Sequence, residues 1–413
     1  MDQTEFYAQL LGLESPWEVD GVELDVEGGK VEVFLAHDDG CSWRCSGCGE
    51  AAPLHDHAGE RTWRHLDTCQ LKTLLKARLP RVKCAACGVR QVDAPWAEPG
   101  GRFTLMMERF VIAALEGCQT VKGAAALARV SWHAAMGVME RAVARGLERR
   151  GGMAAKRIGV DEKAAKKGHV YDTLVYDLDK SAVLYIGEKR ETESLAAYYR
   201  GLGTAELAGI EAVAMDMWPA YYAATVAHVP GAAGKIVFDR FHVAKHAGEA
   251  VDKVRRKEAK ALSAIGAGFL LAGTRNDWLY SEENIPEHRL ENFLSLQGIN
   301  LKTSRAWAIK ETLRGLWSYR SKGSARKFFK KWYAWAIRSR LEPIKKLARM
   351  VERHIDNILT YCDHPITNAV AEGINSKIMS IKRQSSGFRN RDNFKTVVYF
   401  YCGKLKLDPL ESA

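Results

Sequence analysis

The amino-acid sequence predicts an α/β core with a mixed five-stranded sheet, interrupted by a long all-α insertion and preceded by two small N-terminal modules. Three observations support this prediction. Apolar runs with strand character begin at Arg157 and alternate with helical stretches as far as residue 244. From residue 245 to about 360 the sequence is charged and helical, without strand-like alternation. Upstream of the core, two matched cysteine motifs are followed by a helical region.

Length and composition restrict the class of protein. The chain has 413 residues, of which 47% are hydrophobic and 27% charged, as in a globular protein of two to four domains. No apolar run reaches the roughly 18–20 residues that span a bilayer. The first twenty residues are acidic and lack the basic start of a secretory signal. Membrane and secreted classes are therefore not expected.

The net charge of +11 is unevenly distributed along the chain. Residues 301–413 hold 24 Lys and Arg against 9 Asp and Glu, whereas the rest of the chain is slightly acidic. A basic segment with interleaved aromatic residues suits a polyanion such as DNA. Solvated helix faces are the alternative explanation. The aromatic residues of this segment include Trp307, Trp317, Trp332 and Trp335.

Two Cys-x-x-Cys-Gly motifs predict a structural zinc site. Nine cysteines in a chain without an export signal argue against a disulfide framework. The four motif cysteines form a soft, closed tetrahedral ligand set, and a redox pair is the alternative. A hairpin through residues 70–81 is expected to bring the motifs together. The predicted ligands are Cys45, Cys48, Cys84 and Cys87, with Cys41, His55, His57, His65 and Cys69 as substitutes.

A short helix, a tight turn and a longer helix follow the cysteine motifs. A helix over residues 105–115 is expected to end at Gly117. Thr120 then caps a helix over 121–128, and Ser131 caps a second one over 132–147. This order predicts a helix-turn-helix whose second helix enters the major groove, with a plain helical hairpin as the alternative. The residues expected to contact DNA are Ser131, Trp132, His133 and Arg141.

The core segment contains five predicted strands. Three neighbouring strands precede an alternation of helix and strand, which is the order of a ribonuclease H-like fold. In that fold one carboxylate lies on the first strand and a second follows the fourth strand, as Asp161 and Asp216 do. The predicted strands cover residues 157–162, 170–176, 183–186, 210–214 and 235–238, and the helices cover 193–202 and 220–227.

A third carboxylate follows the helical insertion. Glu372, Asn375, Met379 and Lys382 share one face of a predicted helix. A carboxylate beside an amide and basic groups suits a site that holds a metal and a phosphodiester, whereas a solvated glutamate is the alternative. The residues expected to contact DNA in this region are Asn375, Lys377, Lys382, Arg383 and Arg389.

The chain resembles the ISL-three family of transposases of bacterial insertion sequences, over nearly its whole length. The resemblance rests on the paired cysteine motifs, the helix-turn-helix and five short strings in the family's order. These strings are Gly159-Val160-Asp161-Glu162, Met215-Asp216-Met217-Trp218, Asp239-Arg240-Phe241-His242, Thr367-Asn368-Ala369 through Glu372, and Ile381-Lys382-Arg383 through Gly387-Phe388-Arg389-Asn390.

The resemblance implies a DDE transposase with a ribonuclease H-like core and Asp161, Asp216 and Glu372 as its triad. Such an enzyme binds the terminal inverted repeats, cleaves the ends and joins the 3′-hydroxyl to target DNA. Two Mg²⁺ ions about 3.5–4 Å apart, replaceable by Mn²⁺, are expected on the triad, with Asp161 bridging them. Asp239 is interpreted as a structural partner of Arg240 or His242, with an outer-shell role left open.

Organisation and partners complete these expectations. The predicted domains are the zinc-binding region 1–98, the helix-turn-helix 102–150, the core 156–244 and 361–413, and the helical insertion 245–360. A homodimer holding two DNA ends is expected, in the bacterial cytoplasm with the nucleoid. Two alternatives are a zinc and helix-turn-helix regulator without catalysis, and a ribonuclease H-like nuclease without strand transfer.

Overall fold

The computed structural model of the chain describes residues 2–38, 40–166, 170–385, 387–388 and 390–411, without the side chains of 165, 166 and 170. The chain forms two compact units. The first contains the residues up to Gly151, Ile381–Tyr401 and those from Leu405, and the second contains Gly152–Ser380 and Cys402–Lys404. Within the described residues, no helix is both long and apolar enough to cross a membrane.

A five-stranded sheet that the sequence analysis does not predict forms much of the first unit. Its strand order is β1-β2-β6-β5, and β7 pairs with β6. The strands alternate buried and exposed residues, and Val33, Trp63 and Leu75 lie in the core beneath them. The N-terminal elements are α1 (Gln3–Leu11), β1 (Trp17–Asp25), β2 (Lys30–His37), β3 (Trp43–Arg44), β4 (Ala51–Ala52), β5 (Leu54–Arg64), β6 (Lys72–Cys84) and β7 (Gly88–Gln91).

The prediction of a hairpin through residues 70–81 is wrong about the position of the turn. Strand β6 runs without a turn from Lys72 to Cys84, because its alternating buried side chains continue to pack on the core. It pairs antiparallel with β5, and the turn between them lies at residues 65–71. The longer hairpin still connects the two cysteine motifs, since one precedes β5 and the other follows β6.

Three helices complete the N-terminal part of the first unit. They are α2 (Leu105–Cys118), α3 (Val121–Leu127) and α4 (Trp132–Arg150). Thr120 and Ser131 cap α3 and α4 as predicted, each accepting a backbone N–H at 3.1 Å. Gly117 does not end α2, which continues to Cys118 and ends at Gln119 in the left-handed conformation.

The second unit contains the predicted mixed sheet of five strands, in the order β10-β9-β8-β11-β12. The β10-β9-β8 pairs are antiparallel, and the β8-β11-β12 pairs are parallel. Strands β11 and β12 are completely buried. The elements are β8 (Arg157–Lys166), β9 (Val170–Asp177), β10 (Ala182–Glu188), α5 (Thr192–Arg200), α6 (Thr204–Gly209), β11 (Ala212–Met215), α7 (Pro219–His228) and β12 (Ile236–Phe238).

A helical segment follows β12, as predicted. Its first helix is continuous across residues 244–245, where the sequence analysis places a domain boundary. Trp332 is buried and its Nε1 donates to the Ile309 carbonyl at 2.8 Å, whereas Trp335 is 41% exposed. The helices are α8 (Arg240–Ser263), α9 (Arg275–Leu279), α10 (Glu287–Gly298), α11 (Lys302–Arg314), α12 (Lys322–Arg338), α13 (Glu342–Arg353), α14 (Ile355–Leu359), α15 (Ala369–Gln384) and α16 (Arg391–Cys402).

A buried histidine makes the stability of the first unit depend on pH. His65 Nδ1 lies 2.9 Å from Thr104 Oγ1, the residue that caps α2, and burial lowers the pKa of His65 to about 4. The unfolded chain takes up this proton near pH 6.5, so stability is lost as the pH falls toward 4. Relative to His65→Asn, the wild type should lose about 3 kcal/mol between pH 7 and 4, measured by chemical denaturation. Parallel pH profiles for the two proteins would contradict this assignment.

Candidate active site and zinc centre

Three aspartates are aligned at one edge of the second unit's sheet. In the parallel register, Gly159 of β8 pairs with Ala214 of β11, and Met215 pairs with Phe238 of β12. Continuing this register places Asp161, Asp216 and Asp239 at the same level of three adjacent strands. The Asp239 N–H donates to the Met215 carbonyl at 3.0 Å, which extends the β11–β12 pairing to this level.

The Asp161 carboxylate is held by two neighbours. Its Oδ1 accepts the Glu162 N–H at 2.8 Å, and its Oδ2 accepts Asn375 Nδ2 at 2.7 Å. The other end of the Asn375 amide accepts the Tyr176 hydroxyl at 3.0 Å. Asn375 is only 8% exposed. Asp161 and Tyr176 thus form hydrogen bonds with both ends of the Asn375 amide. An amide engaged in this way is less available for the predicted contact with DNA.

Helix α15 is anchored against β8 just before it begins. Asn368 is buried, and its Nδ2 donates to the Val160 carbonyl at 3.3 Å. A Cβ at Gly159 would lie 2.8 Å from Leu178 Cδ2 and 2.9 Å from Asn368 Oδ1, so a larger residue here would displace one of these side chains. The Glu372 N–H donates to the Asn368 carbonyl at 2.8 Å in the first turn of α15. These contacts fix the backbone that carries Glu372.

Burial and mutual repulsion raise the pKa values of the carboxyl groups at this edge. Burial raises the pKa of Asp161 to about 6, and the charges of Asp216 and Glu162 add to the rise. Burial also raises the pKa of Asp216 and of Asp239. The pKa of Glu372 is raised by burial and by the charge of Asp239. Such a cluster favours a bound cation.

The imidazole of His242 is an electrostatic neighbour of all these carboxyl groups. Its charge opposes the rise in the pKa of Asp161, Asp216, Asp239 and Glu372. His242 lies in the first turn of α8, where the Phe241 N–H donates to Asp239 Oδ1 at 3.3 Å. From the sequence, Asp239 is interpreted as a structural partner of Arg240 or His242, with an outer-shell role left open. The signal for a larger role is the Asp-x-x-His spacing, which puts both residues on one helix face.

Arg190 is a residue of this site that the sequence analysis missed. Its Nη1 lies 2.6 Å from Glu162 Oε1, and its guanidinium stacks 4.2 Å from the Trp218 ring and 4.7 Å from the Tyr171 ring. Trp218 Nε1 donates to the Arg190 carbonyl at 3.1 Å. The charge of Arg190 also lowers the pKa of Asp216 against the effect of burial. No sequence motif marks Arg190, because these contacts join separate elements.

The carboxylates are more widely spaced than the ligands of a single closed metal site. Among the described residues, one group of three or more potential metal ligands has donor atoms that all lie within 4.8 Å of one another. This group consists of the four motif cysteines. The oxygens of Asp161, Asp216 and Glu372 are not such a group.

The four motif cysteines converge as predicted for structural zinc. Cys48 Sγ and Cys84 Sγ are 3.6 Å apart. Gly49 and Gly88 follow the motifs with φ values of 76° and 73°, a conformation that favours glycine. Backbone N–H groups of Cys87 and Ala86 lower the pKa of the Cys84 thiol to about 7. The chemistry of the donor set fits a closed tetrahedral zinc site without any of the substitute ligands.

The predicted DNA-contacting residues of α4 differ in their surroundings. Trp132 and His133 are exposed at the start of the helix, and Ser131 is the cap. Arg141 Nε donates to Glu108 Oε1 at 2.9 Å, and Glu108 is almost completely buried. Arg145 Nη2 donates to the Leu407 carbonyl at 2.8 Å. The arginines in the middle of α4 are therefore engaged within the first unit.

The predicted basic residues of α15 lie toward its end. Lys377 is exposed, and Lys382 and Arg383 occupy the last turn of the helix. Arg389 lies outside the described residues. The contacts of these residues with DNA stay a prediction.

Family models of known proteins match most of the chain. A transposase family model for ISL3 matches residues 158–398, more than half of the chain. The chain belongs to the ISL3 family of transposases. The zinc-finger of transposase IS204/IS1001/IS1096/IS1165 matches residues 42–87, and the helix-turn-helix domain of transposase family ISL3 matches residues 92–143. Zinc binding and DNA binding are thus supported in the first unit of this ISL3 transposase.

Relatives over most of the chain carry the same description. The transposase for insertion sequence element IS1001 of Bordetella parapertussis is 28% identical, over 85% of this chain and 86% of the relative. The transposase for insertion sequence element IS1557 of Mycobacterium tuberculosis is 26% identical, over 94% of this chain and 93% of the relative. The ISL3 transposase described here is accordingly a DNA transposase.

Removal of one zinc ligand should unfold the region around the metal. Cys45→Ser or Cys87→Ser should release the metal and expose residues 40–95 to hydrogen exchange, because structural zinc contributes directly to folding. Elemental analysis should give one zinc per wild-type chain. The matched control is Cys69→Ser, an exposed cysteine outside the cluster, which should keep its zinc. Wild-type protein without stoichiometric zinc would overturn the assignment.

Proposed function

We propose that Asp161, Asp216 and Glu372 form the catalytic triad of this transposase, in a core of the ribonuclease H-like type. The observation that carries the proposal is the parallel register, which aligns Asp161 and Asp216 at one edge of the sheet. The sheet order of three antiparallel strands followed by two parallel ones supports the fold assignment. The helical segment between β12 and α15 corresponds to the insertion that the family resemblance implies.

The residues at the sheet edge fit Mg²⁺. Carboxylate oxygens are the hard ligands that this ion prefers. Among the described residues, Glu162 Oε2 and Asp239 Oδ2 are buried without a hydrogen-bond partner. Asp161, Asp216 and Glu372 would hold the metal, with Mn²⁺ as a substitute. When bound, the metal lowers the pKa of water and stabilises charge on phosphate oxygens.

The residues around the triad keep its groups in place. Asn375 donates to Asp161 Oδ2 and is itself held by Tyr176, so it orients the carboxylate. The Trp218 N–H donates to Asp216 Oδ1 at 3.1 Å. Arg190 supplies positive charge beside Asp216, where a phosphodiester would need it. In this proposal Asn375 positions a catalytic carboxylate and does not contact DNA.

The proposed reaction has two steps at one site. In the first, water attacks the phosphorus at the end of the element, and the bond to the 3′-oxygen breaks. In the second, this 3′-hydroxyl attacks a phosphodiester of target DNA and displaces another 3′-oxygen. A ribonuclease H-like nuclease would perform only the first step. A strand-transfer assay with pre-cleaved oligonucleotide ends therefore distinguishes the two activities.

Loss of any triad carboxylate should abolish cleavage and spare DNA binding. Asp161→Asn, Asp216→Asn and Glu372→Gln each remove a metal ligand but no proposed DNA contact. Cleavage of terminal-repeat DNA in Mg²⁺ should fall at least about 1,000-fold, while affinity for the same DNA in EDTA stays within about threefold. Glu287→Gln, at an exposed position of α10, is the matched control. A variant that cleaves at a rate near that of the wild type would exclude its residue from the triad.

We further propose that the start of α4 reads bases, whereas the end of α15 contacts phosphates. Trp132 and His133 are exposed in the first turn of α4. Arg141, by contrast, is engaged by Glu108 and is proposed to hold α4 against α2. Lys382 and Arg383 add positive charge to the last turn of α15.

This division of roles predicts two different effects on binding. Trp132→Ala and His133→Ala should reduce the preference for terminal-repeat over random DNA, because base contacts specify sequence. Lys382→Ala and Arg383→Ala should weaken binding to both DNAs and reduce the salt slope by about one per lost phosphate contact. Fluorescence titrations over a range of salt concentrations measure both effects. Equal losses on both DNAs from all four variants would contradict the division.

A homodimer that holds two DNA ends is proposed for the active complex. One active site cannot engage both ends at once, and cleavage before both are captured would leave broken chromosomes. The exposed Trp335 on α12 adds an aromatic surface of the type found at interfaces. Mass measurement of the complex with terminal DNA should give two protomers and two ends. A one-protomer complex that performs strand transfer would overturn the proposal.

A further inference from the structure

An aromatic side chain lies exposed beside the proposed active site. Helix α8 begins directly after Asp239, and its first turn contains Phe241 followed by His242. The two rings are 6.0 Å apart and perpendicular. His242 acts on the carboxyl cluster, whereas Phe241 is 54% exposed. A single exposed phenyl ring needs no explanation by itself, so the surroundings decide its significance.

Phe241 lines a large cavity in the second unit. The cavity has a volume of about 720 Å³, within the range of small-molecule sites. Ala244 and Ala247 contribute small side chains on the next turns of α8. Trp317 supplies a second aromatic side chain. The cavity is thus large enough for a nucleotide and offers two aromatic rings.

The polar groups of the cavity suit an anionic ligand with hydrogen-bond acceptors. Arg240, Lys310, Arg314 and Glu311 line it. Glu311 pairs with Lys310 and Arg314, and Glu283 also pairs with Arg314, so among the described ion pairs Arg240 is the lining cation whose charge is not offset. Lys310 donates to the Tyr280 carbonyl at 2.7 Å, which fixes its position. Among the described residues, Trp317 Nε1 is buried without a hydrogen-bond partner. A buried donor of this kind normally meets an acceptor, and a bound ligand can provide one.

We propose that this cavity receives an unpaired nucleotide of the DNA strand at the active site, with its base stacked on Phe241. This inference rests on the proposed function, because the triad defines where the DNA lies. Aromatic rings stack on any base, and cations balance the phosphate. Phe241 follows Asp239 by only two residues, so the nucleotide belongs within about three positions of the cleaved bond.

The stacking role of Phe241 predicts a substrate-dependent defect. Phe241→Ala should cleave fully paired terminal DNA about 5- to 150-fold more slowly than the wild type, because it lacks the stacking that stabilises the unpaired base. Phe241→Trp should restore the rate. With an abasic site at the position concerned, wild type and Phe241→Ala should cleave equally, because no base remains to be stacked. Trp317→Phe, which removes the N–H donor and leaves a smaller aromatic ring, should slow cleavage of the paired DNA.

A binding measurement locates the nucleotide without cleavage. Terminal-repeat duplexes carry 2-aminopurine singly at each of the three positions on either side of the cleaved bond, and Ca²⁺ replaces Mg²⁺. The wild type should raise the fluorescence at one position, as expected for a base that leaves the duplex. The matched control is Phe269→Ala, which removes a ring that is 76% exposed and outside the cavity, and which should behave as the wild type. Unchanged thermal unfolding checks that each variant folds.

Two outcomes would overturn the inference. One is unchanged fluorescence at every position in a wild-type complex with saturating DNA. The other is a Phe241→Ala defect of the same size on paired and abasic DNA, which would indicate a general effect on the site or another occupant of the cavity. If the proposed function itself were wrong, the wild type would cleave neither the paired nor the abasic DNA, or Asp161→Asn would cleave both of them. These results differ from the two above.

Discussion

The parallel pairing of β8, β11 and β12 is the constraint on which the edge with the proposed active site depends. It brings three aspartates to one level, and burial makes their charged forms costly. The free-energy cost of burying the aspartates is offset by completely buried apolar side chains on the same strands. Ile158, Val213 and Ile236 belong to this core. The packed strands hold carboxylates together that would separate in a looser structure, and this arrangement would favour the divalent cation of the proposed function.

The contacts around this edge give each of the three aspartates a separate support. Asn375 orients Asp161, the N–H of Trp218 holds Asp216, and the N–H of Phe241 holds Asp239. Helix α15 reaches the edge because Gly159 leaves room for Asn368. These supports come from different parts of the second unit. A change in any of these supports should displace one carboxylate and leave the other carboxylates in place. A site built on rigid elements keeps its geometry in this way.

The sequence predicted the parts of this molecule that have local signals. The five strands of the second unit, the caps Thr120 and Ser131 and the cysteine motifs all follow from short patterns, and the structure contains them. The sheet of the first unit was missed, since polar residues and the cysteine motifs obscure its alternation. The role of Arg190 and the contact between Asn375 and Asp161 could not be predicted from the sequence either. The latter joins residues 214 positions apart, and only the tertiary register brings them together.

The arginines of α4 show why a count of charges overstates the capacity to bind DNA. Arg145 and Arg149 donate to the carbonyls of Leu407 and Asp408, so the C-terminal segment of the first unit is fastened along α4. A Cβ at Gly146 would lie 2.7 Å from Leu405 Cβ, so this segment packs closely against the helix. These cations satisfy backbone acceptors of the protein itself. The exposed residues of α4 are Trp132 and His133 in its first turn, followed by Glu140, Ala144 and Glu148. The groups proposed to read bases are therefore an aromatic and an imidazole ring, and not arginines.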